Sequence, residues 1–189
     1  MSMHDTLRRR LSIGLALCTT SVGALAAPPF GFGLPASDSV IAAWNIDVDA
    51  SGRGLPPGRG SVIQGQAVYA QKCAACHGAN GEGKPADALV GGAGSLTGPK
   101  AVKTVGSFWP YATTLYDFIY RAMPYTAPQS LSPDEVYAVT AWLLNRNGIV
   151  PADTVLDAQS LPRVQMPNQT GFVQDTRPDT SNAACVRCR

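Results

Sequence analysis

Residues 73–77 of this chain read Cys-Ala-Ala-Cys-His, and they constrain its fold more than any other stretch. Two thiols at this spacing can reach the two vinyl groups on one edge of a porphyrin, while the next imidazole lies under the iron. The pattern is the attachment signature of a c-type haem. We predict that Cys73 and Cys76 bind haem c covalently. His77 is then its proximal ligand through Nε2, with the other ring nitrogen oriented by a backbone carbonyl.

The cysteine pair has two other uses that the sequence leaves open. A redox disulfide of the thioredoxin type needs a βαβ context, which the pattern does not show. A zinc site could combine Cys73 and Cys76 with Cys185 and Cys188, but it would leave the adjacent His77 unexplained. The haem prediction accounts for all three residues of the motif.

The first 26 residues have the pattern of an export signal. Three arginines at positions 8–10 precede an apolar run over residues 11–26, which ends in Ala-Leu-Ala. Such a sequence is typical of a secretory signal peptide, and the run is shorter than the roughly 20 residues of a membrane span. A lipoprotein site at Cys18 and a twin-arginine signal are weaker matches. We predict that residues 1–26 are cleaved, that the mature chain is periplasmic and that it has no membrane span.

Removal of this segment leaves a chain without net charge. Of the 15 basic and 13 acidic residues, three arginines and one aspartate lie in residues 1–26, so twelve of each remain. No basic stripe remains that would indicate a nucleic acid or an anionic membrane surface. We therefore predict no nucleic-acid partner. His4 is also removed, so His77 is the single histidine of the mature chain.

The periodicity of the rest predicts one small all-α domain over residues 61–150 between two extended segments. Residues 27–60 are rich in Gly and Pro and are interpreted as an extended leader. Residues 151–189 are rich in Pro, Asp and Gln and are interpreted as an extended tail. No segment shows the period of a β-strand.

Three helices are predicted inside that domain, with a Gly-rich loop after the first. Helical spacing runs from about Ser61 into the cysteine motif, and again over residues 115–122 as far as Pro124. The third helix begins at an S-x-x-E capping box, with Ser132 as the N-cap and proline at the first helical position. An Asn-Gly pair at residues 147–148 ends it.

The residue inventory narrows the choice of ligand on the other face of the iron. Since His77 is the single mature histidine, bis-histidine ligation is excluded, and the mature methionines are Met123 and Met166. Met123 ends a predicted helix and lies between two packed helices, whereas Met166 lies in the tail, so we predict Met123 as the axial ligand. Met166, an open site or a lysine remain as alternatives, the lysines being Lys72, Lys84, Lys100 and Lys103. A six-coordinate, covalently held haem leaves no position for a substrate, which indicates a carrier of single electrons.

Two motifs resemble those of class I cytochromes c. "GQAVYAQKCAACHG" is similar to their N-terminal helix, and "RAMPYTAP" is similar to their axial-methionine segment. In that family a glycine and an aromatic residue, here Gly65 and Tyr69, let the first and last helices cross closely. The resemblance covers about residues 61–148. It implies the class I cytochrome c helical fold around one covalently bound haem.

Residues 41–78, 102–150 and 166–172 are also similar to the cytochrome subunit of the sulfur-oxidation (Sox) sulfane dehydrogenase and to related sulfite dehydrogenase cytochromes. This resemblance implies that electrons come from a molybdenum-containing dehydrogenase subunit and pass to a downstream cytochrome. Some members carry a second haem domain. Here the "CVRCR" terminus has Arg189 where a second haem motif needs histidine, so one haem is expected. The resemblance leaves Cys185 and Cys188 as a disulfide, with a thiol-redox or metal role as the alternative.

Two other functions stay open at this point. One is a stand-alone soluble electron carrier for another dehydrogenase. The other is a haem enzyme or gas sensor in which the sixth coordination site opens. A peroxidase-like enzyme usually has a distal acid or base, and this residue cannot be a histidine in the mature chain.

Overall fold

The structure is a computed structural model that describes residues 33–173. The chain divides after residue 41, and helix α1, Asp38–Trp44, runs across this division with none of its residues buried. The cysteine motif belongs to the larger unit that begins at residue 42. The predicted signal peptide, Cys185 and Cys188 lie outside the described residues. Across residues 33–173, the helices are all too short or too polar to cross a membrane.

The larger unit is built mainly from helices. In residues 42–173 these are α2, Val62–Lys72, α3, Ala74–His77, α4, Ala112–Ala122, and α5, Pro133–Arg146. The Gly-rich loop between α3 and α4 contains one 3-10 turn, Ser95–Thr97. The predicted all-α class is confirmed, and the three predicted helices lie where the periodicity placed them. Helix α1 was not predicted, since it lies in residues 27–60, which were interpreted as an extended leader.

Serine caps begin both of the helices that frame the core. The Ser61 side chain accepts a hydrogen bond from the Gln64 N–H, and the Gln64 side chain accepts one from the Ser61 N–H. Ser132 and Glu135 form the same reciprocal pair at the start of α5, as predicted. Each cap satisfies backbone donors that a helix start otherwise leaves without partners. Helix α5 ends before Gly148, whose φ of +71° suits glycine.

Helices α2 and α5 cross closely because a glycine lies at their contact. A Cβ atom on Gly65 would overlap the backbone carbonyl of Ala138 and would come within 2.8 Å of the Trp142 Cβ. One turn further along α2, the Tyr69 ring stacks on Trp142 with its centroid 4.0 Å away and an interplanar angle of 27°. The roles expected for Gly65 and Tyr69 from the class I resemblance are therefore present in the fold.

The structure also contains a small sheet, so the expectation of no strands was wrong in this detail. Strand β1, Arg59–Ser61, pairs antiparallel with β2, Val155–Asp157, and Gly60 lies opposite Leu156. Each strand has three residues, too few for an alternating pattern to be read. Gly60 lies directly against the backbone of Ala138 in α5, so the pairing closes the core at this edge.

The hydrophobic core includes side chains that come before residue 61 and after residue 150 in the sequence. Val48 in the leader is buried, and so are three residues after position 150, namely Leu156, Leu161 and Met166. All four belong to the same hydrophobic cluster as the helices. The part of the predicted tail up to Met166 is therefore packed against the core.

Candidate haem-binding site

The cysteine motif lies at the junction of α2 and α3. Cys73 ends α2, with its N–H donating to the Tyr69 carbonyl, and φ and ψ of −123° and −35° break the helix there. Helix α3 follows at once, and the His77 N–H donates to the Cys73 carbonyl over 3.0 Å. The three side chains of the motif thus come from one hydrogen-bonded turn of backbone.

A backbone carbonyl orients the imidazole of His77. Its Nδ1 lies 2.8 Å from the carbonyl oxygen of Asp87. Because a carbonyl can only accept, Nδ1 carries the proton and Nε2 keeps its lone pair. This tautomer is the one that a ligand binding metal through Nε2 requires.

The Gly-rich loop supplies that carbonyl by folding back on the motif. The Gly83 N–H donates to the His77 carbonyl over 2.8 Å, and the Ala86 N–H donates to the Cys76 carbonyl over 2.9 Å. Gly83 has a φ of +93°, a conformation that favours glycine. A carbonyl partner for His77 was predicted, but its identity as Asp87 was not, because no side-chain signal marks a backbone acceptor ten residues away.

The two thiols of the motif are free and differ in exposure. Cys73 is partly buried, and this burial, with a smaller effect of Cys76, raises its pKa to about 11. Cys76 is exposed. Among residues 33–173, no three His, Cys, Asp or Glu side chains come together to hold a metal ion. A donor set of two thiols and one free Nε2 fits a larger group that forms two thioether bonds and takes one imidazole ligand.

Tyr69 connects the helix crossing to the motif. Its hydroxyl donates a hydrogen bond of 2.8 Å to the carbonyl of Gly78, the residue after His77. Burial of the Tyr69 side chain raises its pKa to about 12, so the hydroxyl remains a donor over the whole neutral range. The packing of α2 on α5 is thereby linked to the turn that carries the imidazole.

The two candidate thioether ligands have different surroundings. Met123 is the C-cap of α4 and is only partly buried. It belongs to the half-buried apolar residues that pack against the core, as do Cys73, Leu89, Trp109 and Tyr120. Met166 is 4% exposed and lies inside the core cluster. The Met166 thioether is thus enclosed by apolar packing, whereas Met123 keeps part of its surface available.

The candidate lysine ligands all have exposed side chains, namely Lys72, Lys84, Lys100 and Lys103. The Lys103 ammonium lies over the ring of Phe108, 4.8 Å from its centroid. A cation in this position is attracted by the face of the ring. The Lys103 ammonium therefore already has a partner in the fold, the ring of Phe108.

Comparisons with known proteins place the chain in a family. Residues 62–147 match the family described as Cytochrome c. The crystal structure of the sulfane dehydrogenase SoxCD from Paracoccus pantotrophus superposes with a TM-score of 0.74 at 46% identity, over 80% of this chain and 75% of that chain. A thiosulfate dehydrogenase from Thiomonas intermedia (strain K12) is 34% identical over 140 residues, 70% of this chain.

The chain spans 38% of the length of that thiosulfate dehydrogenase. The solved relative, in contrast, is similar over most of both chains. A match of 46% identity over most of both chains shows a family relationship and not only a similar helical fold. The C-x-x-C-H motif is in keeping with that family. The chain belongs to the cytochrome c family, as an electron carrier whose domain implies covalently bound haem c and whose relatives include thiosulfate and sulfane dehydrogenases.

Proposed function

We propose that this protein is a periplasmic cytochrome c with one haem, held by Cys73 and Cys76 and ligated by His77 and Met123. The hydrogen bond from His77 Nδ1 to the Asp87 carbonyl carries the proposal, because it leaves Nε2 free to bind iron. The partial burial of Met123, against the enclosed position of Met166, supports the choice of sixth ligand. When bound, haem supplies an iron that gains and loses one electron, and a thioether ligand raises its reduction potential. The export pattern of residues 1–26 supports the periplasmic location.

The residues of this chain hold the group and restrict its surroundings. Asp87 and Tyr69 fix the imidazole side through backbone and hydroxyl hydrogen bonds. Ligands on both sides of the iron would leave no position for a substrate, which favours an electron carrier over a site that binds substrate. A carrier of this kind needs no rearrangement when its charge changes.

The proposed electron donor is a molybdenum-containing subunit of a sulfur-compound dehydrogenase, and the proposed acceptor is a downstream cytochrome. The support is the 46% identity to a chain of the sulfane dehydrogenase SoxCD over 75% of that chain. Similarity to a thiosulfate dehydrogenase points to the same class of sulfur substrate. The molybdenum-containing subunit is proposed because the resemblance to the Sox cytochrome subunit implies such a partner.

The haem content is tested by the mass of the intact protein. The chain is produced in a periplasm that has cytochrome c maturation machinery, and we expect the mass of the mature chain plus one haem. The matched control is the Cys73→Ser, Cys76→Ser double variant, which keeps His77 but has no thiol to attach, and it should show the bare mass. A bare wild-type chain, or one with two haems, contradicts the proposal.

The partner is tested by affinity purification from the native periplasm. We expect a molybdenum-containing protein to co-elute and thiosulfate, sulfite or a sulfane sulfur compound to reduce the haem. Haem-loaded protein that elutes alone and is reduced by other dehydrogenases indicates a stand-alone carrier. Rapid binding of carbon monoxide by the reduced protein indicates a haem enzyme or gas sensor.

A further inference from the structure

A buried carboxylate ties helix α4 to the leader. Asp117 is buried, and its Oδ1 accepts a hydrogen bond of 2.8 Å from the Val48 N–H. The Arg121 guanidinium donates to Oδ1 over 2.9 Å and to Oδ2 over 2.6 Å. One turn earlier, the Thr113 hydroxyl donates to the Ala50 carbonyl over 3.0 Å. Hydrogen bonds to an ionised carboxylate are stronger than neutral ones. They join the leader at Val48 to Asp117 and Arg121 of α4, and Thr113 joins it near the start of the helix.

This cluster immediately precedes Met123 along the chain. Helix α4 ends at Ala122, and the N–H of Met123 donates to the Ile119 carbonyl as the last bond of the helix. Beyond Pro124, residues 125–130 are all exposed, and the chain is buried again at Leu131. The backbone of Met123 is therefore held by the last turn of α4, and the residues that follow Pro124 are exposed.

We propose that Asp117 and Arg121 are positioning residues for the axial thioether. Together with the Val48 N–H they fix the last turn of α4, and this keeps the Met123 sulfur in place to bind iron. The inference rests on the axial role of Met123 given under the proposed function. Without the carboxylate, the Val48 N–H and the guanidinium lose their partner, the last turn loosens, and the state with Met123 dissociated becomes more populated.

The leader contains a matched ion pair that serves as the control. Arg53 and Asp49 form an i,i+4 pair of 3.0 Å, the same spacing as the pair in α4. Their side chains are 87% and 35% exposed, whereas those of Arg121 and Asp117 are 46% and 9% exposed. An exposed pair contributes little to stability. Arg53→Gln therefore removes a similar pair without changing α4.

The test measures how easily imidazole displaces the sixth ligand in the ferric, haem-loaded protein. For Asp117→Asn and Arg121→Gln we expect imidazole to bind about tenfold more tightly than to wild type, which corresponds to loss of one charge-assisted hydrogen bond. The Fe–S(Met) charge-transfer band should weaken and the midpoint potential should fall. Arg121→Lys should restore part of the wild-type behaviour, and Arg53→Gln should retain all of it.

The outcomes separate this inference from the proposed ligation. If Met123→Ala keeps the charge-transfer band, Met123 is not the ligand and both fail. If Met123→Ala abolishes the band while the Asp117 and Arg121 variants bind imidazole as wild type does, the positioning role alone is refuted. Lower thermal stability with unchanged imidazole affinity gives the same refutation, since it shows a purely structural pair. Should Asp117→Asn fail to fold, Arg121→Gln decides, because its side chain is half exposed.

Discussion

At the scale of single residues, the hydrogen bond between His77 and the Asp87 carbonyl decides which imidazole nitrogen can bind a metal. A ring that donates through Nδ1 in its neutral form presents Nε2, with its lone pair, to a metal. The Tyr69 hydroxyl acts on the next peptide group by donating to Gly78. Hydrogen bonds to two backbone carbonyls thus hold the imidazole side of the site.

Met123 and Met166 should respond differently to truncation. Met166→Ala opens a cavity in the core, so we expect the free energy of unfolding to fall by about 2–5 kcal/mol with the visible spectrum unchanged. Met123→Ala should abolish the Fe–S(Met) charge-transfer band. Denaturant unfolding and ferric spectra of the haem-loaded proteins measure both effects. Loss of the band in Met166→Ala, with the band kept in Met123→Ala, would reverse the assignment.

At the scale of elements, the crossing of α2 and α5 determines where the motif lies. The Gly65 contact brings the two backbones together, and the Tyr69–Trp142 stack fixes their rotation. Because α2 leads directly into Cys73, a shift of α2 along α5 moves the thiols and the imidazole together. The crossing therefore serves both the stability of the fold and the geometry of the site.

Gly65→Ala tests that crossing. The added Cβ meets the Ala138 carbonyl, so the helices must separate, and we expect a loss of about 1–3 kcal/mol or more in the free energy of unfolding. The control is Gly98→Ala, where the new Cβ approaches no atom closer than 3.4 Å, the Ser95 carbonyl oxygen. Chemical denaturation compares the two variants. Equal stability of both would show that the contact does not constrain the helices.

At the scale of the whole molecule, the core joins the leader, the helices and the segment after position 150. The Tyr137 hydroxyl reaches from α5 to the Pro56 carbonyl over 2.9 Å, and β1 pairs with β2 across the same edge. Burial raises the pKa of Tyr69 and of Tyr137 to about 12, and it raises that of Tyr116 still further. The folded protein therefore depends on tyrosines that remain protonated.

This dependence predicts a loss of stability in alkali. An unfolded tyrosine ionises near pH 10, whereas the folded Tyr69 and Tyr137 ionise near 12. Their contribution is complete below about pH 10 and is lost as the pH rises to about 12. The free energy of unfolding should fall steeply over this interval, and Tyr137→Phe should reduce the slope. The control is Tyr125→Phe, at a side chain that is 83% exposed, and an equal slope in both variants would contradict the prediction.

The sequence alone determined the motif, the helices and the electron-carrier class, because these depend on short spacings and local caps. The proposed haem attachment by Cys73 and Cys76, with His77 as a ligand, depends on five consecutive residues, and the Ser132 cap acts within one turn. The tertiary structure alone decided the Asp87 carbonyl under the imidazole and the β1–β2 pairing. It also decided the burial of Met166 and the link from Val48 to Asp117. These are contacts between distant residues or with backbone atoms, which no local pattern of side chains encodes.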